Sequence, residues 1–218
     1  GGTGNDTFDA TGATTIANTI FVVGSGFDSI TLDAAVAHDI RTSATTGANA
    51  FAIQDDGTTA NGPGFVPGTD DIDYNGSVSN DSVTTIVDVG GATLSAAVTT
   101  DRDATVFVIA DANGDATLEA AITTFAASMT QANADAVEAA AIGAGLLNYS
   151  SLDADFLSTE AVLIAINVET NDSSSDNDGG SAVFRFVNST ATGNAVTTGE
   201  LELIGVTVDS ALADGDFM

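Results

Sequence analysis

Apolar-rich runs recur along most of the chain and predict β-strands. The runs are short and rich in Val, Ile, Thr and Phe, and turn-forming Gly, Asn, Asp or Ser residues bound them. They cover residues 16–23, 51–54, 82–89, 105–110, 161–168, 182–187 and 201–208. A mainly β protein is therefore expected.

The apolar period changes after the strand predicted at 105–110. Four apolar residues then recur at helical spacing, which places them on one helix face. They are Leu118, Ile122, Phe125 and Met129. The alanine-rich run at 131–142 predicts a second helix that ends near Gly143. We expect one inserted helical segment at about 115–142, packed against a sheet.

Charge narrows the function classes. The chain carries 31 Asp and Glu residues against 3 Arg and no Lys, which gives a formal net charge of −28. Nucleic acids are held by cations that neutralise phosphates, so no nucleic-acid partner is expected. A compact chain this acidic repels itself, and bound divalent cations relieve that repulsion. Calcium is the predicted cofactor.

Cysteine is absent, which excludes disulfides and thiolate metal sites. The longest purely apolar stretch, residues 161–166, is far shorter than the ~20 residues that span a bilayer. No membrane insertion is expected.

The first nine residues match a calcium-binding nonapeptide at every defined position. Its pattern is Gly-Gly-x-Gly-x-Asp-x-U-x, where U is a large apolar residue, and here Asp6 and Phe8 fill the last two defined places. The glycines allow a tight turn that offers carbonyls, the Asp supplies a carboxylate, and the apolar residue points into a core. We take Asp6 and Asp9 as candidate calcium ligands.

A second, degenerate copy of this pattern lies at 24–30, with Asp28 in the place of Asp6. The alternative interpretation is an ordinary glycine turn before a strand. The two aspartates are 22 residues apart, which is not a multiple of nine. We therefore expect that the two copies are not adjacent turns of one regular β-roll, and that the chain represents the end of a repeat array.

These motifs resemble the RTX family of calcium-binding bacterial proteins, which leave the cell by type I secretion. The end of the chain, from Ala182 onward, is also similar to the C-terminal regions of that family, where a strand and an acidic, glycine-rich loop precede a secretion signal. The resemblance implies an extracellular, cell-surface location. Acidic, lysine-poor members without a catalytic set are similar to S-layer proteins.

The expected fold class is mainly β, with β-sandwich or β-roll-derived sheets and the inserted helical segment. Three segments are predicted. Residues 1–33 would end the RTX-like repeat region, residues 34–110 would form a β-rich region, and residues 111–218 would form a β domain with the helical insertion and a secretion-like tail.

Two acidic loops are further candidate calcium sites. Asp111, Asn113 and Asp115 alternate as ligands do at the start of an EF-hand loop, although the later positions of that motif fail. The competing interpretation is a turn with Asp115 as a helix N-cap. A second set, Asp172, Asp176 and Asp178, could converge on one ion or form a solvated hairpin tip.

A third acidic group leaves the same choice between a shared ion and a solvated loop. It consists of Asp70, Asp71 and Asp73. Like charges this close are tolerated more easily when they share a cation.

Enzymatic chemistry has little support in the sequence. His38 is the only histidine, so a site with two His ligands cannot form within one chain. No Gly-x-Ser-x-Gly elbow accompanies it, and we assign His38 no role. We expect that the chain is not an enzyme.

The preferred function is therefore that of an extracellular structural protein, a calcium-dependent, self-assembling S-layer or filament subunit. Its partners would be further copies of itself, with cell-surface polysaccharide as another candidate. Two alternatives remain, namely a calcium-dependent adhesin or ligand-binding module, and the non-catalytic export domain of a secreted hydrolase.

Overall fold

A computed structural model confirms the mainly β prediction. It describes residues 1–11, 19–33, 36–42, 49–54, 64–74, 86–88, 106–111, 116–143, 161–168, 180–187 and 196–217. The strands of the first half are β1 Thr7–Asp9, β2 Thr19–Val23, β3 Phe27–Thr31, β4 His38–Thr42, β5 Ala50–Gln54 and β6 Asp71–Tyr74. Those of the second half are β7 Ile86–Asp88, β8 Val106–Asp111, β9 Ala161–Val168, β10 Ser181–Val187 and β11 Leu201–Thr207.

The first six strands alternate between two sheets. β1, β3 and β5 lie side by side in parallel in a large sheet, and β2, β4 and β6 form a parallel three-stranded sheet. These six strands thus pass alternately through the two sheets, and each lies beside the strand two positions earlier in the chain. We call this arrangement the parallel coil.

The spacing of the coil corrects one sequence inference. Thr7 pairs with Ser29 and Asp9 with Thr31, so the two glycine motifs lie on adjacent turns. The step between these two turns is 22 residues, as the hydrogen bond from the Asp6 N–H to the Asp28 carboxylate also shows. A step of 22 residues is not a multiple of nine, so the motif spacing did not predict that the two motifs are neighbours.

The large sheet continues from the parallel coil into the second half of the chain. Its strand order is β1-β3-β5-β11-β10-β9-β8-β7, with β10 antiparallel to both of its neighbours and the remaining pairs parallel. The sheet takes strands from all three predicted segments, and β8 crosses the predicted boundary at 110–111. The three segments therefore share one sheet.

The helical segment is present where the spacing of the apolar residues predicted it. Its helices are α1 Ala116–Ala127 and α2 Gln131–Gly143. Leu118, Ile122 and Phe125 are buried, as predicted from their spacing. Thr130 precedes α2, and its hydroxyl accepts the Asn133 N–H at 3.3 Å, which satisfies one donor of the first turn. Within the described residues, neither helix is long and apolar enough to cross a membrane.

Two core layers lie on opposite faces of the large sheet. One contains the buried residues of α1 and α2, and the other contains those of the three-stranded sheet. β5 shows the division: Ala50 and Ala52 pack in the helix layer, whereas Phe51 and Ile53 pack in the layer beneath the three-stranded sheet. Alternation on a strand buried on both faces produces this split.

Candidate functional site

The two glycine motifs form a stack of turns at one side of the parallel coil. The Gly4 N–H donates to the Ser25 carbonyl at 2.8 Å, and the Ser25 N–H donates to the Gly2 carbonyl at 2.9 Å. An isolated parallel bridge between Thr3 and Ser25 marks the same contact. The first turn thus lies directly against the second.

Close backbone approach explains two of the glycines. A side chain at Gly24 would collide with the Gly2 carbonyl, and one at Gly26 would collide with the Gly4 carbonyl. Gly26 also has φ +126°, a conformation that residues with a Cβ rarely adopt. Gly2 itself has open space where a Cβ would lie. The packing of turn on turn therefore requires glycine in the second motif.

Carboxylates and carboxamides of the stack satisfy main-chain donors of neighbouring turns. Asp28 is 1% exposed, and its Oδ1 accepts the Asp6 N–H at 2.9 Å. Asn5 Oδ1 accepts the Phe27 N–H at 3.0 Å, and Asn49 Oδ1 accepts the Gly26 N–H at 2.7 Å. These side chains bind the three successive turns to one another.

The fit of this stack to calcium is partial. The ion takes six to eight oxygen ligands, usually carboxylates and carbonyls. The stack offers the carboxylates of Asp6 and Asp28 and the carbonyls of the glycine turns, but one Asp6 oxygen already accepts the Gly2 N–H at 2.9 Å. Among the described residues, no group of three or more His, Asp or Glu side chains is arranged to hold a metal. A calcium ion here would depend on carbonyl or water oxygens to complete its shell.

Asp9 has a local structural role. Its Oδ1 accepts the Thr11 N–H at 2.9 Å and the Thr11 hydroxyl at 2.6 Å, and these hydrogen bonds lower the pKa of the Asp9 carboxyl. The carboxylate therefore closes the turn that follows β1. Its predicted role as a calcium ligand remains a prediction.

Only one of the remaining predicted ligands lies within the described residues. It is Asp111, the last residue of β8. The others lie outside the described residues; they are Asn113, Asp115, Asp172, Asp176 and Asp178.

Sequence reasoning missed a buried histidine–aspartate pair. His38 and Asp70 both have side chains that are 0% exposed, and His38 Nδ1 lies 3.2 Å from Asp70 Oδ1. The same oxygen accepts the His38 main-chain N–H at 2.8 Å. His38 Nε2 is buried and finds no hydrogen-bond partner within the described part of the chain. One signal was available, because His38 shares the period-2 face of β4 with the apolar Ile40.

Asp70 connects this pair to the end of the chain. Its Oδ2 accepts the Val66 N–H at 2.7 Å, and burial raises the pKa of its carboxyl. In the same loop, the Gly68 N–H donates to Asp216 Oδ1 at 2.6 Å. Phe217 then forms a parallel bridge with Ile72 of β6. The C-terminal segment thus lies along the edge of β6 that faces away from β4.

The acidic residues at 70–73 contact different partners. Asp70 contacts His38, and Asp73 Oδ2 accepts the Arg41 Nε–H at 2.6 Å. Burial is the main cause that raises the pKa of Asp71, followed by the nearby charges of Asp39, Asp216 and Asp70. Two of the three carboxylates are therefore engaged by protein groups rather than directed at one shared ion.

A cleft of about 370 Å³ lies between α2 and the start of β11. Its walls include Phe27 and the acidic side chains of Asp135, Glu138 and Glu202. Glu138 Oε1 accepts the Leu203 N–H at 3.0 Å, and burial raises the pKa of Glu138 to about 7. The cleft therefore contains a carboxyl group that titrates near neutral pH.

Comparisons with known proteins add no relative. No family model matches the chain, and neither a curated protein nor a solved structure is similar enough to count as a match. A function for this chain therefore rests on its own sequence and geometry.

Proposed function

We propose that this chain is a calcium-stabilised structural protein of a bacterial cell surface, and that its copies assemble into a layer or filament. The parallel coil is then a derivative of the RTX β-roll with longer turns. One observation carries the proposal: the turn at 1–6 stacks on the turn at 24–28, and the Asp28 carboxylate accepts the Asp6 main-chain N–H across the two turns.

Charge supports a role for calcium in this coil. With a formal net charge of −28, the folded chain gains free energy when divalent cations neutralise carboxylates. An ion held between Asp6 and Asp28 would add a link between two turns that main-chain hydrogen bonds and the side chains of Asn5 and Asp28 already join. It would bind the folded state and not the unfolded chain, so it would stabilise the fold by mass action.

Thermal unfolding with calcium and with a chelator tests this role. At about 1–10 mM calcium, the range suited to extracellular modules, the melting temperature should rise above that in chelator. Asp6→Asn and Asp28→Asn should reduce that rise. Glu119→Gln, on α1, also removes one carboxylate charge, lies outside both the stack and the cleft, and should leave the rise unchanged.

Two results would contradict the proposal. The first is a melting temperature that does not respond to calcium. The second is a calcium response that Glu119→Gln reduces as much as the Asp6 and Asp28 variants do, since that would indicate non-specific screening.

Assembly is tested separately by electron microscopy. Purified protein should form ordered layers or filaments in calcium and lose them in chelator. Particles that stay monomeric at millimolar calcium would exclude the assembly role while leaving any calcium-dependent stability intact.

A further inference from the structure

The cleft beside α2 combines acidic and apolar walls. Asp135, Glu138 and Glu202 line it, and among the described residues no Lys, Arg or His does. Its apolar walls include Phe27 and Leu201. A volume of about 370 Å³ lies at the lower end of the ~300–1,000 Å³ that small-molecule sites occupy. The cleft is therefore large enough for a small organic molecule and is bounded by negative charge.

One polar stripe of α2 lines this space. Gln131, Asp135 and Glu138 are four and three residues apart, which places them on one side of the helix. The Gln131 Nε2–H donates to Asp135 Oδ1 at 2.6 Å, so the amide holds that carboxylate in place. The stripe thus presents carboxylate oxygens in a fixed arrangement.

Glu138 is the buried member of the stripe and keeps an unused acceptor. Its side chain lines the cleft although the residue is only 8% exposed, and its Oε1 accepts the Leu203 N–H. Within the described part of the chain, Glu138 Oε2 makes no hydrogen bond. A carboxylate oxygen that has lost water without gaining a partner is unfavourable, so a donor or cation that reaches it from the cleft is stabilised.

The geometry favours an organic cation over a metal ion. Calcium takes six to eight oxygen ligands, and among the described residues no group of three or more acidic side chains is arranged to hold a metal. An ammonium group has three N–H donors and is satisfied by a few acceptors on one side. The apolar walls can then cover the carbon chain that carries it.

We propose that this cleft binds a small primary alkylammonium ion, which donates to the carboxylates of Glu138 and Asp135 and packs its alkyl chain against Phe27 and Leu201. The site is separate from the calcium-dependent assembly proposed above. The chain contains no Lys, so a side chain of another copy cannot supply this group.

Affinity should follow the ionisation of Glu138. Burial raises its pKa to about 7, so the carboxyl is mostly ionised at pH 8 and mostly protonated at pH 5. An alkylamine stays cationic throughout, since its pKa is close to the ~10.4 of Lys. Binding should therefore weaken about tenfold or more from pH 8 to pH 5.

The other charged groups near Glu138 do not reverse this dependence. Asp135 of α2 and Glu202 of β11 face it, and Glu202 Oε2 lies 3.5 Å from Arg185 Nη1 of β10. Of the described residues, α1, β3 and β5 contribute no charged side chain to the cleft wall.

NMR titration with n-pentylamine tests the site, in chelator at pH 8 and an ionic strength of about 0.15 M. Amides of α2 and Leu203 should shift saturably, whereas those of β2 and β4 in the other sheet should not. Pentan-1-ol keeps the alkyl chain without the charge, and pentyltrimethylammonium keeps the charge without N–H donors. Both should bind about tenfold more weakly or less well still.

Substitutions identify the carboxylates. Glu138→Gln keeps an oxygen for the Leu203 N–H, and should weaken pentylamine binding about tenfold and remove its pH dependence. Asp135→Asn should weaken binding by a smaller factor, because Asp135 is exposed. Glu119→Gln on α1 lies outside the cleft and should bind as wild type does. If Glu138→Gln does not fold, the wild-type pH series and the two control compounds still decide the question.

A blocked lysine, Nα-acetyl-lysine methylamide, separates two sources of the same group. Tighter binding than pentylamine would identify a lysine side chain of another protein as the ligand, and weaker binding a free amine. The absence of saturable shifts at α2, or equal binding of pentyltrimethylammonium, would overturn the site. An equal loss in Glu119→Gln would also overturn it. Calcium-dependent melting is measured independently, so this site and the proposed function can fail separately.

Discussion

The buried Asp28 carboxylate accepts the main-chain N–H of Asp6, 22 residues earlier, at 2.9 Å. Asp28→Ala would leave that donor without its partner in a partly buried position. We expect a loss of about 1–3 kcal/mol in the free energy of unfolding, measured by urea denaturation in chelator. Asp28→Asn keeps an acceptor oxygen and should lose less.

The chelator separates this contribution from that of any bound ion. If both variants unfold at the wild-type urea concentration, the hydrogen bond between the turns contributes nothing measurable to stability. If they lose equal amounts, the carboxylate matters through its charge rather than as an acceptor.

Glycine substitutions test whether close packing of the turns, and not the motif as such, is what requires glycine. Gly26→Ala forces a Cβ towards the Gly4 carbonyl at φ +126°, and should destabilise the chain by at least about 2 kcal/mol. Gly2→Ala changes an equally defined motif position, but a Cβ there meets nothing within 4 Å. It should cost far less in the same denaturation experiment. Equal losses would show that the motif acts by a route other than backbone contact.

Local patterns in the sequence predicted the elements better than their pairing. The spacing of Leu118, Ile122 and Phe125 identified α1 because helical period is visible within one segment. The parallel pairing of Thr7 with Ser29 leaves no such local pattern, since a coil turn passes through the second sheet between them. A 22-residue step is not a multiple of the nine-residue motif, so the motif spacing did not predict this pairing.

Contacts within the candidate site also join segments that are distant in the sequence, and local patterns do not predict them. Motif matching found Asp6 and Asp28, but the hydrogen bond between them depends on turn stacking that the motif does not encode. His38 and Asp70 are 32 residues apart and meet only because β4 pairs with β6. A lone histidine in the sequence carried no sign of that partner.

The raised pKa of Glu138 predicts that a mildly acidic pH stabilises the fold. Burial raises the folded pKa to about 7 from 4.5, so the protonated form is favoured in the folded state. Its stabilising contribution is complete below about pH 4.5 and is lost as pH rises through about 7. The free energy of unfolding should therefore increase from pH 8 to pH 5, by up to about 3 kcal/mol from this group.

Glu138→Gln isolates this group from Asp70 and Asp71, whose pKa values are also raised. Gln keeps an oxygen for the Leu203 N–H and cannot ionise, so the variant should be more stable than wild type at pH 8 and less sensitive to pH. Glu119→Gln on α1 makes the same change outside the cleft and should preserve the wild-type pH profile. A wild-type profile in Glu138→Gln would contradict the assignment.

Asp216 should determine how firmly the C-terminal segment closes the edge of β6. Its Oδ1 accepts the Gly68 N–H and its Oδ2 accepts the Ala213 N–H, both at 2.6 Å, in a position that is 0% exposed. Asp216→Ala removes both acceptors and should cost about 1–3 kcal/mol for each donor left unsatisfied. Hydrogen exchange should accelerate first at Gly68 and along β6, because the bridge between Ile72 and Phe217 loses its anchor. Amides of β9 and β10 serve as the internal control, because these strands lie inside the large sheet. They should exchange at wild-type rates under conditions where the fold stays intact. Uniform acceleration across both sheets would instead show that Asp216 stabilises the whole fold and that the C-terminal segment does not open separately.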